Sequence, residues 1–379
     1  MRCLLIMLSA IALDLSGATL PRWTPGTLDI HQISTGRGNA TLIIMPDGTS
    51  LLVDAGAAGS GIPETDPHPD ATRTPGEWIA RYIRRHLPAG TKGLDYALLT
   101  HFHMDHMGGI ADVDKALPIG TLLDRGWPDY VYPAAFKDEA MAAYRRFLEA
   151  RRQQGMKIER FRPGSASQLR MLTAPTRFAD FEIRNIIGNG DLWTGNGDTT
   201  RHIFPPPEPP NENMCSNGFR LRYGHFRYFT GGDLPGTADP GFPAWQSIEE
   251  ALAPIIGPVD VHVVNQHGSM GEESEAMLRF LKSTVLIVPS WAPSHPAPDV
   301  LKRIMNSRLP PAERYVFVTD MREAAKIVIG QRATQLSAPP GHVVVRVAPG
   351  GETYQIYVLT NQNESDEIIA QKGPIKSAN

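Results

Sequence analysis

The chain has 379 residues, 41% hydrophobic and 20% charged, with a formal net charge of −3. That length can bury a substantial core as one large domain or two, and the charge balance gives no global indication of a nucleic-acid partner and no solvating acidic block. The 33 prolines and 35 glycines point to a loop-rich globular protein.

Met1-Arg2, the apolar run from Cys3 to Leu13 and the small residues Ser16-Gly17-Ala18 read as a secretory signal peptide over residues 1–18. An exported protein, periplasmic or secreted, is expected. Asp14 lies close to the apolar run, which leaves an uncleaved anchor or a different start open. The run is short for a membrane span, nothing later resembles one, and no membrane partner is expected beyond the export signal. With Cys3 gone, Cys215 has no disulfide partner and reads as a small packed side chain rather than a nucleophile.

The alternating run Thr27 to Ile33, the turn Gly36 to Asn39, the run Ala40 to Met45, the turn Pro46-Asp47-Gly48 and the run Ser50 to Gly56 predict an antiparallel three-strand meander. Asp54 ends it, where a strand-end turn residue is the bland reading. Residues 57–73 read as a loop. Thr74-Pro75-Gly76-Glu77 fits a capping box with proline at the first helical position, opening a helix whose apolar face carries Trp78, Ile79, Tyr82, Ile83 and Leu87.

Leu94 to Leu99 then reads as a short buried strand that runs into Thr100-His101-Phe102-His103-Met104-Asp105-His106-Met107-Gly108-Gly109. In extended chain, alternate side chains share a face, so His101 and His103 can bind one cation together. Asp105 and His106 follow where the chain turns and can aim at a second cation beside the first. Imidazole and carboxylate together suit zinc, with manganese or iron as alternatives.

This stretch resembles the HxHxDH signature of the metallo-β-lactamase superfamily. The resemblance implies an α/β fold, an αββα sandwich with a two-metal site along one edge, and a carboxylate at the place of Asp54 that supports the metal loop from behind.

Residues 111–205 hold no second metal signature. A strand near Gly120 to Leu123 and a helix from about Ala134 to Gln153 are expected. Arg145, Arg146, Arg151, Arg152, Lys157, Arg160, Arg162 and Arg170 make the section basic. A solvated helix face explains them, or else a phosphate-attracting patch beside the site. Phe178 to Ile187 reads as a strand, Asn189 to Asp198 as a polar loop and Pro205 to Pro210 as a stiff extended segment. Phe219 to Tyr223 and Phe226 to Thr230 form a hairpin that ends at Gly231-Gly232-Asp233. Val259 to Asn265 is a strand in which His262 reads as packed, while His267, at its end, is the better ligand candidate. A helix over Glu272 to Lys282, a strand over Thr284 to Val288 and a helix from about Pro298 to Met305 follow, with Ser294-His295-Pro296 between the last two.

Asn213-x-x-Ser216, Thr230 to Asp233, Gln266 to Ser269 and Ser294 to Pro296 resemble a narrower group, the hydrolase domain of ComEC-type DNA-uptake proteins and related phosphodiesterases. Gly38-Asn39-Ala40, Pro46 to Gly48 and Leu52 to Gly56 match the same group's opening. The chain departs from it in having Gln266-His267 where two histidines are usual, and in lacking the uptake proteins' channel spans. The resemblance implies Asp233 as a bridging carboxylate and His295 as a hydrogen-bond or proton donor at the mouth. His202 or Asn213 would complete the first metal.

The expected protein is therefore a dinuclear metallohydrolase. His101 and His103 hold one metal, Asp105, His106 and His267 the other, and Asp233 bridges them. Hydroxide made available by the two cations attacks the substrate, oriented by Asp105 or Asp233. A phosphodiester is the favoured substrate, a lactone or β-lactam the alternative, and a non-catalytic metal-binding module the reading from another class. Residues 19–360 form the hydrolase domain with an insertion at about 124–205. Gly341 to Val347 and Tyr354 to Val358 form a C-terminal β-hairpin at a sheet edge, and residues 361–379 a disordered tail.

Overall fold

The structure, a computed structural model, describes residues 17–59, 62, 65–206, 208–238 and 241–378. The expected signal peptide lies outside the described residues except for Gly17 and Ala18. The meander forms as β1 (Leu28–Gln32), β2 (Thr41–Ile44) and β3 (Ser50–Val53). The capping box opens α1 (Pro75–His86): Thr74 Oγ1 accepts from the Glu77 N–H at 3.2 Å, and Glu77 Oε2 accepts from the Thr74 N–H at 3.0 Å. β4 (Leu94–Leu98) leads through the histidine loop into α2 (Met104–Met107) and α3 (Ile110–Ala116). β5 (Ile119–Asp124), α4 (Glu139–Gln153) and β6 (Lys157–Arg160) complete the first half.

The second half begins with β7 (Phe181–Gly188), β8 (Asp191–Trp193) and β9 (Thr200–His202). The expected hairpin is β10 (Gly218–Tyr223) with β11 (Phe226–Thr230). Then α5 (Ile248–Ile256), β12 (Val261–Val263), α6 (Glu275–Leu281), β13 (Val285–Val288), α7 (Pro298–Asn306), β14 (Tyr315–Val318) and α8 (Glu323–Ile329) alternate. β15 (His342–Val347), β16 (Thr353–Leu359) and β17 (Ile368–Lys376) close the chain.

These strands build two mixed sheets. One runs β17-β16-β15-β1-β2-β3-β4-β5-β6, the other β14-β13-β12-β11-β10-β7-β8-β9. Leu28, Ile30, Leu51, Val53 and Leu98 of the first sheet share a buried cluster with Phe219, Leu221, Tyr228, Val261 and Ile287 of the second. The opposite face of the first sheet packs Leu42, Leu52 and Leu122 against Ile79 and Ile83 of α1, Val113 of α3 and Leu148 of α4. α5 and α6 cover the second sheet's outer face through one cluster, and α7 and α8 through another. The result is the expected αββα sandwich. With both faces of the sheet covered, β1, β2 and β3 are buried throughout; β2 and β3 read as largely apolar runs, whereas β1 buries Asp29, His31 and Gln32.

Three expectations change. Residues 361–379 were expected to be disordered, yet β17 pairs antiparallel with β16, and Arg81 and Arg85 on α1 grip Glu364 and Asp366. An edge strand has one solvated face, so its composition reads polar while Ile368 is still buried. The hairpin β15–β16 is correspondingly not the edge itself; β15 pairs with β1, and β17 lies outside β16. The polar stretch Asn189 to Asp198 is not all loop, because Asn189 (φ 53°) and Gly190 (φ 76°) turn β7 directly into β8. In the region expected as an insertion, β6 extends the first sheet and β7 to β9 the second.

Candidate metal centre

β3 and β4 run parallel, so Asp54 and Thr100 leave the first sheet at the same edge. Asp54 adopts a left-handed backbone (φ 62°) that turns its carboxylate under the histidine loop. There it accepts the Thr100 N–H at 2.8 Å, the Thr100 hydroxyl at 2.9 Å and the Asn39 amide at 2.9 Å. The second sheet meets this edge through the Asn217 N–H, which donates to the Thr100 carbonyl at 2.9 Å. Gly232 passes so close that a Cβ there would lie 2.7 Å from Thr100 Cβ, and its φ is +63°. Only glycine lets the chain deliver Asp233 at this point. The Gln266 N–H donates to the Gly232 carbonyl at 3.1 Å, placing the turn with His267 (φ 57°) beside Asp233.

Four side chains converge. One donor atom from each of Asp105, His106, Asp233 and His267 lies within 4.8 Å of all the others. His106 Nε2 is 3.2 Å from His267 Nε2 and 3.1 Å from Asp233 Oδ1, and His267 Nε2 is 3.0 Å from Asp105 Oδ2. Beside them, His101 Nε2 and His103 Nδ1 lie 3.0 Å apart, and His101 Nε2 is 3.9 Å from the other Asp233 oxygen, Oδ2. Asp233 thus spans two donor groups, one oxygen to each. The imidazoles are held ready for a cation: His106 Nδ1 faces Asp54 Oδ2 at 2.8 Å and His267 Nδ1 faces the Pro289 carbonyl at 3.0 Å, so each turns Nε2 inward.

Residues 33–210 match the family model described as the metallo-beta-lactamase superfamily. Over that stretch the chain is similar to the metallo-β-lactamase superfamily. Among solved structures it is similar to the diiron β-hydroxylase CmlA from Streptomyces venezuelae, at 17% identity and a TM-score of 0.41 over 77% of this chain and 53% of that one. It is also similar to the metallo hydrolase Igni18 from Ignicoccus hospitalis, at 13% identity and a TM-score of 0.40 over 78% of this chain and 97% of that one. A third is a putative metal-dependent hydrolase from Parabacteroides distasonis, at 12% identity and a TM-score of 0.37 over 78% and 94%. The chain spans about half the length of CmlA. No curated protein matches it.

Electrostatics in this site follow from crowding of buried groups. Burial alone would raise the Asp233 carboxyl, but the charges of His106, His267 and His101 outweigh it and hold the group well below the carboxylate range. Asp105 is lowered in the same way: burial opposes the shift, and His106 and His267 win. His101, deeply buried and beside His106, is pushed well down. His295 is pushed down to about 3, first by burial and then by the charge of His267. Its ring stacks on His267 with centroids 5.1 Å apart, meets Trp291 edge-on, and has a buried Nδ1 without a hydrogen-bond partner.

The remaining candidates separate cleanly. Asn213 Oδ1 is buried without a partner, two residues before Cys215 and three before Ser216, whose Oγ accepts the Asp233 N–H at 3.2 Å. His202 sits exposed on β9, with Nδ1 2.8 Å from Asp191 and 3.0 Å from the Tyr132 hydroxyl, and is not among the four converging donors. Its spacing between the two halves of the motif carried no information about the strand it occupies. His262 is packed, bonded to Glu273 at 2.7 Å and Ser283 at 2.8 Å. Cys215 is buried, and burial pushes its thiol up to about 12. Trp291, against His267, was missed, as was Glu212, which accepts the Phe102 N–H; neither belongs to a motif.

Proposed function

We propose that the protein is a dinuclear metal-dependent hydrolase acting on a phosphodiester. The observation that carries the hydrolase reading is the convergence of Asp105, His106, Asp233 and His267 beside the His101–His103 pair. The residues fit two divalent cations: neutral nitrogen and carboxylate oxygen donors meet, and the outward nitrogens of His106 and His267 are already committed to Asp54 and Pro289. His101 and His103 would hold the first, with Asn213 as the further donor. Asp105, His106 and His267 would hold the second, with Asp233 serving both.

Bound cations supply Lewis acidity, which makes water acidic at neutral pH and stabilises negative charge on substrate oxygens. Zinc suits the mixed nitrogen and oxygen donors, with manganese or iron as alternatives. The chain's own part is to orient and to exclude water. Asp105, partly exposed beside His267, accepts a hydrogen bond from an attacking water. His295, kept neutral by burial, offers its imidazole to the substrate or the leaving group.

The phosphodiester assignment rests on the resemblance to ComEC-type domains. The basic middle section lends it little, because Arg151, Arg152, Arg160 and Arg162 each face a carboxylate. Export, implied by residues 1–18, is part of the same proposal. Purified protein with a measured metal content is assayed on bis(p-nitrophenyl) phosphate, a lactone and nitrocefin. Turnover of the first supports the proposal; turnover confined to either of the others rejects the phosphodiester.

A further inference from the structure

Phe102 stands between His101 and His103, and its N–H donates to Glu212 Oε1 at 2.8 Å. The same carboxylate takes Arg125, through Nε at 2.8 Å and through Nη2 on the second oxygen. Arg125 is only 1% exposed, and its guanidinium lies 4.7 Å from the centre of the Phe102 ring. Its other donors reach the carbonyls of Tyr132 at 3.3 Å and Ala134 at 3.4 Å and the side-chain oxygen of Asn189 at 3.3 Å. That segment carries Phe136, whose ring meets His103 with centroids 5.6 Å apart. Glu212 is followed directly by Asn213.

A buried ion pair contributes little net stability, because desolvation offsets the attraction and well-packed apolar residues often do as well. What this pair does have is three routes to one side of the centre. It fixes the backbone between the two histidines, the segment that packs on His103, and the start of the turn bearing Asn213. Asp105, His106 and His267 receive none of these contacts; His106 is held by Asp54, His267 by the Pro289 carbonyl, and Asp105 faces His267.

We propose that Glu212 and Arg125 are positioning residues for the first metal position, setting the geometry of His101, His103 and Asn213 while leaving the second position alone. The inference rests on the two-metal reading. Its signature is selective: a loosened first position loses its cation while the second keeps its own, whereas general damage to the fold loses both.

The test is zinc content after equilibrium dialysis at graded free zinc, for wild type and Glu212→Ala, with thermal unfolding recorded alongside. The expected result is two zinc per wild-type chain, with one of the two bound about 10- to 100-fold more weakly in the variant, the range typical when a partner that orients metal ligands is removed. Glu212→Gln, which keeps an acceptor for the Phe102 N–H, restores part of the loss. If Glu212→Ala does not fold, the double variant Arg125→Met with Glu212→Leu removes both buried charges and the acceptor, and is read in the same way. Two zinc with unchanged affinities, or equal weakening of both, overturns the positioning role. Fewer than two zinc in wild type overturns the two-metal reading instead.

Discussion

His106 presents Nδ1 to Asp54 at 2.8 Å and Nε2 to Asp233 at 3.1 Å, so a buried carboxylate behind the ring decides which nitrogen faces the centre. Asp54 can do this because its left-handed backbone turns the side chain across the end of β3. Asn is among the few residues that tolerate that conformation, so Asp54→Asn removes the charge without adding backbone strain. It should weaken zinc binding about 10- to 100-fold while leaving the far-UV spectrum unchanged. Competition against a chromophoric chelator measures it, and affinity equal to wild type would remove Asp54 from the site.

His103→Ala and His202→Ala form a matched contrast. His103 Nδ1 lies 3.0 Å from His101 Nε2, whereas His202 is bonded to Asp191 and Tyr132 on an edge strand. The first variant should lose one cation and at least about 100-fold in hydrolysis rate, since a ligand should matter no less than its supporting groups. The second should turn over like wild type. Equal losses in both would mean that the centre is wrongly drawn.

Glu249 offers a pH test away from the metal donors. It is fully buried, accepts from the Asn265 amide at 2.8 Å and the Ser274 N–H at 2.7 Å, and is pushed up to about 7 by burial and then by the charge of Glu273. The folded state therefore holds a proton that the unfolded chain releases near pH 4.5. Stability from this group is fully present below that pH and is lost as pH rises through 7. Glu249→Gln should raise Tm by about 2 °C or more at pH 8, and by less at pH 5, in the presence of chelator. The amide of Asn265, whose Oδ1 has no partner, can turn to accept the new donor. No difference between the two pH values would show that Glu249 is not the titrating group.

The C-terminal segment should be structural. Ending the chain after Thr360 removes β17, the grip of Arg81 and Arg85, and the burial of Ile368. The loss should be at least about 2 kcal/mol, the worth of burying one such side chain, with β16 left as an unprotected edge prone to association. Urea unfolding and light scattering read both effects, and an unchanged midpoint would make the strand an ornament.

What the sequence discloses follows from how local each signal is. His101 to His106 is contiguous, and the short turns around β1 to β3 and the capping box at Thr74 are local chemistry, so they can be read directly. Asp233 required a family resemblance, and His267 stood only as a candidate at a strand end, because only tertiary pairing brings two strand ends in the second half to Asp54 and Thr100. Glu212 and Arg125 left no trace, being 87 residues apart and joined only by burial. β17 was hidden for the opposite reason, since a solvated edge strand and a disordered tail have similar compositions.

The most direct test is zinc content of the purified protein coupled to hydrolysis of bis(p-nitrophenyl) phosphate before and after chelation. Two zinc per chain, with turnover lost on chelation and restored by zinc, is the predicted result. Fewer than one bound metal per chain with no turnover would contradict the metallohydrolase reading.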